Sequence, residues 1–443
     1  MIVKRDMDKY QDLILRLFPS ETNARVRAVT FQVTSDCNLN CTYCYQINKK
    51  KIYMTLEDAM KFIDILLDST KEDNEYINPD NCQGITIEFI GGEPFLQIEL
   101  IDKISDYFVS QMILKKHRWA TRHMISICSN GVLYFDPRVQ AYLKKHQSNL
   151  SFSISIDGNK ELHDSCRVFP DGSGSYDTAI AAVRHYRENF PGTMGSKMTL
   201  APGNIMHTFK AVSSLIENGY VYIHLNCVYE EGWTEDHAKI LYDQLKKLSD
   251  YMRKNNLIDK VYISMFVTNW FRPSTITHDV NWCGGNGTMI ALDPKGDIYP
   301  CIRFMESSLG DVVEPIMIGD VVNGISKNEK TEKNINNLTC ITRRSQSNDI
   351  CYDCPIAEGC AWCTGLNYQL FGTADKRTTF NCVMHIATSL ANVYHWNNIF
   401  LENNENYLFN KYIPDEWALK IIDHNELDML NDIINKIISN SKK

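Results

Sequence analysis

Apolar and polar positions along the chain follow two rhythms in turn. Six short runs, Val26–Val33, Ile85–Ile90, Met124–Cys128, Leu150–Ile156, Ser196–Leu200 and Val221–Val228, have the length and apolar content of buried strands. Leu56–Leu67, Leu100–Leu114, Val139–His146, Tyr176–Phe190, Ile205–Asn218 and Glu235–Lys254 are helix-length, and Gly, Pro, Asn and Asp fill the joints. Six β-then-α units in succession predict a parallel sheet with right-handed crossovers. A closed barrel needs eight such units. The expectation is therefore an α/β fold, an open, partial (β/α)6 TIM-like barrel whose reactive side lies at the carboxyl ends of the strands.

Flanking segments read differently. Residues 1–24 are polar and predict an N-terminal arm or helix, and the barrel occupies 25–255. From 256 to 385 the segments become short, with a tight turn at Asp293-Pro-Lys-Gly296 between strand-like Met289–Leu292 and Asp297–Tyr299. Eight of the fifteen cysteines fall between residues 283 and 382, which predicts a second domain stapled by its cysteines. Residues 386–443 read as helices, including Leu427–Ile438, and Asn334–Asn337 reads as a polar loop.

Bulk properties narrow the class. A chain of 443 residues suits two domains or a barrel with appendages. With 44% apolar and 23% charged residues it reads as a soluble globular protein. A net charge of −8 argues against a nucleic-acid partner. No run approaches a membrane span, and the start, MIVKRDMDKYQDL, lacks the apolar core of a signal peptide. A reducing cytoplasm is the expected compartment, and there clustered cysteines mean metal rather than disulfides.

Ten cysteines fall into spacings suited to iron–sulfur chemistry. The first group, Cys37-x3-Cys41-x2-Cys44, directly follows the first strand. Three thiolates hold three irons of a [4Fe–4S] cube and leave the fourth iron open to a second ligand. A zinc site needs a fourth Cys or His nearby, and none occurs before Cys82. The others are Cys283-x12-Gly296-x4-Cys301, Cys351-x2-Cys354-x5-Cys360-x2-Cys363 and Cys382.

The triplet, with Tyr43 before its last cysteine, resembles the signature of the radical S-adenosylmethionine (SAM) superfamily. That resemblance implies an open iron that chelates SAM and a 5′-deoxyadenosyl radical made from it. It also implies SAM-binding roles for Gly91, Gly92 and Glu93 (the GGEP stretch after the second strand), and for Ser155 and Arg167. Glu93 would accept from the SAM ammonium, and Arg167 would hold the carboxylate. Arg167 also reads as a surface ion pair, and Ser129-Asn130-Gly131 equally as a nucleoside-facing loop or a plain turn. The later cysteines are similar to the SPASM extension of the superfamily. By that resemblance Cys351, Cys354, Cys360 and Cys382 ligate one auxiliary [4Fe–4S] cluster, and Cys283, Cys301 and Cys363 hold another, three clusters in all. Fully ligated members carry one more cysteine where this chain reads Gly284-Gly-Asn-Gly-Thr-Met289, so the nearer auxiliary cluster has an open iron unless Cys340 fills it.

The whole pattern resembles maturases of ribosomally made peptides, in particular those acting on CxxxC-repeat precursors. It implies thioether crosslinks of the sactipeptide or ranthipeptide kind. Pro300-Cys301-Ile302-Arg303 lacks the aspartate that sulfatase maturases carry after the second SPASM cysteine. Implied partners are a cysteine-containing precursor peptide and an external one-electron reductant of flavodoxin or ferredoxin type. No peptide-binding module is expected before the first strand, so leader recognition falls to the barrel, the C-terminal helices or a separate leader-binding protein. The rival enzyme readings are a C–C crosslink, epimerisation or sulfatase-type oxidation. A plain electron-transfer protein is the non-enzyme rival. Cys82, Cys128, Cys166 and Cys227 read as small core residues. Glu230 and Glu231 read as a solvated loop or a substrate-facing pair.

Overall fold

The computed structural model describes residues 26–44, 46, 50–70, 80, 82–191, 195–230, 232–274, 283–360 and 362–440. The expected N-terminal arm and Glu231 lie outside the described residues. Strands β1 (Val26–Gln32), β2 (Gly84–Ile90), β3 (His123–Ser129) and β4 (Leu150–Ile154) pair in parallel in chain order. Beside β4, a second parallel ladder is formed by β5 (Gly195–Leu200), β6 (Tyr222–Cys227) and the two-residue β7 (Tyr262–Ile263). Helices α1 (Leu56–Asp68), α2 (Ile98–Leu114), α3 (Pro137–His146), α4 (Lys160–Cys166), α5 (Tyr176–Asn189), α6 (Thr208–Glu217) and α7 (Glu235–Lys254) follow strands in turn. This is the expected α/β partial barrel, with β7 as a short addition.

The outer face of the sheet is the core. Phe31 on β1, Phe62 on α1 and Phe89 on β2 are fully buried, and the first two rings meet edge-on with centroids 5.3 Å apart. Such a contact adds about 0.5–1.5 kcal/mol to what area burial supplies. The inner face differs from the buried-strand expectation. On β3, β5 and β6 the residues Cys128, Lys197 and His224 are exposed, while their neighbours Ile127, Met198 and Ile223 are buried. Helices cover only one face of the sheet, so alternate positions are left to line an open, polar interior. Cys128 is thus no core residue. Cys166 and Cys227 are half-buried, and of the four only Cys82 is buried.

Past the barrel, β8 (Met289–Leu292) and β9 (Asp297–Tyr299) form the antiparallel hairpin expected around Asp293–Gly296. β8 then pairs in parallel with β1, Ala28 opposite Met289 through Phe31 opposite Leu292. With β10 (Gly319–Asp320) and β11 (Gly324–Ile325) the cysteine-rich region extends the barrel sheet to eight strands, in the order β11-β10-β9-β8-β1-β2-β3-β4. Asn334–Asn337 is not a loop. It lies within helix Glu329–Thr339, which Asn328 caps and which buries Ile335 and Leu338. A long helix, Cys382–Glu402, starts on a cysteine and packs against α7, where His395 Nδ1 meets Ser249 Oγ at 2.9 Å. No helix among the described residues is long and apolar enough to cross a membrane.

Candidate functional site

Every motif singled out in the barrel lies on a loop at the carboxyl end of a strand. The Cys37–Cys44 loop follows β1, Gly91–Glu93 follows β2, Ser129–Gly131 ends β3, and Ser155–Asp157 follows β4. Backbone hydrogen bonds weld these loops together. Gly92 and Glu93 donate their N–H groups to the carbonyls of Thr34 and Asp36 at 3.1 and 2.9 Å. A Cβ on Gly92 would stand 2.3 Å from the Asp36 carbonyl oxygen and 2.7 Å from Cys37 Cβ. Only glycine allows that approach, so what this glycine admits is the cysteine loop itself.

Glu93 is fully buried, and its carboxylate accepts from the Phe95 and Asn130 N–H groups and from the Ser129 hydroxyl, at 3.1, 2.8 and 2.8 Å. Burial pushes its pKa up, against those three donors. The carboxylate expected to receive a ligand ammonium is already engaged inside the protein and ties the β2 and β3 loops together. Asn130 Nδ2 also donates to Asn38 Oδ1 at 2.6 Å, so the Ser129–Gly131 turn braces the cysteine loop. Ser155 lies half-buried, its hydroxyl 3.4 Å from Cys128 Sγ.

Arg167, at the end of α4, is no surface ion pair. Its side chain is 12% exposed, its Nε donates to Asp157 Oδ2 at 2.9 Å, and its guanidinium lies 5.4 Å from the centre of the Tyr43 ring. The Tyr43 hydroxyl donates to the same Asp157 oxygen. The cysteine loop rests on this segment: Asn40 and Thr42 donate their N–H groups to the carbonyls of Val168 and Cys166 at 2.7 and 2.9 Å. Arg167 keeps its charge at any working pH, because Asp157 and nearby thiols outweigh the cost of burial. Asp157 went unnoticed in the sequence, where it reads as the polar residue of an Asp-Gly turn.

The later cysteines fall into two neighbourhoods. Cys301 and Cys363 are each influenced by Cys283, and burial pushes both thiols up. Cys283 Sγ stands 3.1 Å from Thr364 Oγ1. Arg303 lies among them and bridges at 3.1 Å to Glu230, which keeps the solvated position expected of it at 47% exposure. Tyr229, raised to about 12 by burial and then by Cys363 and Cys283, faces the same group from the loop after β6. Cys340 is exposed at the end of helix Glu329–Thr339, a helix that packs against the Gly284–Asn286 turn beside Cys283.

In the second neighbourhood burial pushes Cys360 up to about 12 and Cys382 to about 11, with Cys351 and Cys354 acting on both. Arg377 donates to Cys360 Sγ at 2.9 Å and stacks 4.3 Å from the Trp362 ring. Thiols pushed up in this way are costly as thiolates until a cation offsets the charge, so this donor set suits metal. Among the described residues no three cysteine sulfurs lie within 4.8 Å of one another. The ligands of one tetrahedral zinc, with Zn–S about 2.3 Å, would be about 3.8 Å apart.

Residues 31–216 match the family described as the Radical SAM superfamily. Those residues form a radical SAM domain. That domain implies SAM and a [4Fe–4S] cluster, for which Cys37, Cys41 and Cys44 have the fitting spacing. Among curated relatives, the radical SAM cyclopropyl synthase TigE of Paramaledivibacter caminithermalis is 24% identical over 63% of this chain and 58% of its own length. The subtilosin biosynthesis protein AlbA of Bacillus subtilis is 24% identical over 64% of this chain and 56% of its own. The chain thus spans little more than half the length of these relatives. Native anSMEcpe with bound AdoMet shares the fold at a TM-score of 0.60, with 16% identity, covering 86% of this chain and 99% of that one. Streptococcus suis SuiB bound to its precursor peptide SuiA does so at 0.53, with 14% identity, over 84% and 80%. The likeness to the two solved structures extends beyond the matched residues 31–216 and is one of fold.

Proposed function

We propose that the protein is a cytoplasmic radical SAM maturase that installs thioether crosslinks between cysteine sulfur and carbon in a ribosomally made precursor peptide. The observation that carries this reading is the separate three-cysteine set Cys283, Cys301 and Cys363, ringed by Tyr229, Arg303 and Glu230 on the carboxyl side of the barrel. On this reading Cys340, exposed at the end of helix Glu329–Thr339, is left outside the set. Three thiolates leave a fourth ligand position, and a precursor cysteine thiolate is the natural occupant. The cluster of Cys37, Cys41 and Cys44 supplies, with SAM, a carbon radical able to take hydrogen from the acceptor residue.

The chain's own residues bind, orient and enclose. Arg167 holds the SAM carboxylate, Tyr43, Gly91, Gly92 and Ser155 line the same place, and Glu93 fixes the loops around it. Cys351, Cys354, Cys360 and Cys382 hold a second auxiliary cluster, with Arg377 donating to Cys360. The polar barrel interior receives the peptide and shields the radical from solvent. A flavodoxin- or ferredoxin-type reductant supplies electrons.

A second reading, carbon–carbon bond formation, draws support from the similarity to a cyclopropyl synthase. One assay separates the two: incubate the reconstituted protein with SAM, dithionite and a CxxxC-repeat peptide, then alkylate. Loss of two hydrogens together with loss of alkylatable thiol supports the thioether. The same mass loss with every thiol still alkylated contradicts it and favours the carbon–carbon bond.

A further inference from the structure

Asp157 sits at the junction of three elements. It is fully buried one turn beyond β4, and a single oxygen, Oδ2, accepts both from the Tyr43 hydroxyl and from Arg167 Nε. Its backbone N–H donates to His163 Nδ1 at 3.2 Å. His163 Nε2 meets Ser175 Oγ at 3.0 Å, and the Ser175 hydroxyl donates to the Arg167 carbonyl at 2.8 Å. The path therefore closes on itself, Asp157 to His163 to Ser175 to Arg167 and back. The ring holds the backbone and the side chain of Arg167 independently. Ser175 spends its proton on the carbonyl, so His163 must donate through Nε2–H and accept at Nδ1, which defines a neutral imidazole.

Geometry also limits what Arg167 can offer. A guanidinium has two edges suited to a carboxylate, one using Nε and one using both Nη groups. Asp157 occupies Nε, and among the described residues neither Nη makes a hydrogen bond. The Nη edge is the one left, and it belongs to a side chain fixed beside Tyr43 on the cysteine loop.

We infer that Asp157 is a positioning residue for cofactor binding. It locks Arg167 to the cysteine loop through Tyr43 and presents the Nη edge of that arginine to the carboxylate of SAM. This rests on the SAM-binding reading of Arg167. It adds a residue that touches neither cluster nor SAM carboxylate and yet sets how selectively that carboxylate is bound.

The test is equilibrium binding to the iron-reconstituted full chain, using SAM and decarboxylated SAM. Wild type should prefer SAM. Asp157→Asn should weaken SAM about tenfold and decarboxylated SAM by less than about threefold, because only the charge-assisted contact is lost. Tyr43→Phe, which removes one hydroxyl, should weaken SAM selectively in the wild-type background and do nothing further in Asp157→Asn. It also keeps the test alive if Asp157→Asn holds less iron. Equal weakening of both ligands by either variant, or undiminished preference for SAM, would overturn the inference. No preference in the wild type would overturn the reading of Arg167 itself, and the inference with it.

Discussion

Asp293 is a carboxylate whose burial has a measurable cost. Burial pushes its pKa from the ordinary 3.8 up to about 6, although its Oδ1 accepts from the Lys295 and Asp297 N–H groups at 2.8 and 3.0 Å. The folded state therefore holds this proton more tightly than the unfolded chain does. Its contribution to stability is full below about pH 4 and is lost as pH rises through about 6. Asp293→Asn keeps the acceptor without the charge. The variant should gain on wild type by on the order of 2 kcal/mol in unfolding free energy between pH 4 and pH 7; parallel stability–pH curves would contradict this. Glu93 calls for a different variant. Glu93→Ala would strand the buried N–H groups of Phe95 and Asn130, a cost of about 1–3 kcal/mol per unpaired group. Denaturant midpoints should drop accordingly, and an unchanged midpoint would mean that water replaces the carboxylate.

Among the elements, the loop after β2 is the most exacting. Gly92→Ala places a methyl group against the backbone of Asp36, and backbone cannot swing aside as a flexible side chain does. Reconstituted Gly92→Ala should lose iron from the first cysteine group while the later groups keep theirs; a full iron count would show that the loop yields. This contact also explains how much could be read beforehand. The strands, most barrel helices and the Met289–Tyr299 hairpin carry their own apolar pattern and turn chemistry, so they were legible. Helix α4 was not, because it is short and buries only Leu162 and His163. Helix Glu329–Thr339 was disguised by asparagines of poor helical propensity, which the Asn328 cap and the burial of Ile335 and Leu338 outweigh. Cysteine spacing marked the two later cysteine neighbourhoods directly. Asp157, Tyr229, Arg303 and Arg377 were not legible as site residues, because a lone charge or aromatic ring carries no spacing; their roles come from contacts across long stretches of chain. Cys128 was taken for core because a small apolar residue on a strand looks alike on either face.

At the scale of the molecule, the barrel and the cysteine-rich region share one sheet through β1 and β8, and helix Cys382–Glu402 covers α7. A chain ending at residue 255 would leave the Ala28–Phe31 edge unpaired and that helix face bare. It should aggregate on size exclusion where the full chain does not, and a monomeric, folded fragment would show that the two regions are independent. One measurement bears most directly on the central claim, that this chain cleaves SAM on the cluster of its first cysteine group. Reconstitute wild type and Cys41→Ala anaerobically with iron and sulfide, count iron, add SAM and dithionite, and quantify 5′-deoxyadenosine. The account predicts about twelve irons in wild type, about eight in the variant, and 5′-deoxyadenosine from wild type alone. Equal 5′-deoxyadenosine from both proteins, or none from a fully loaded wild type supplied with a cysteine-rich precursor, would contradict it.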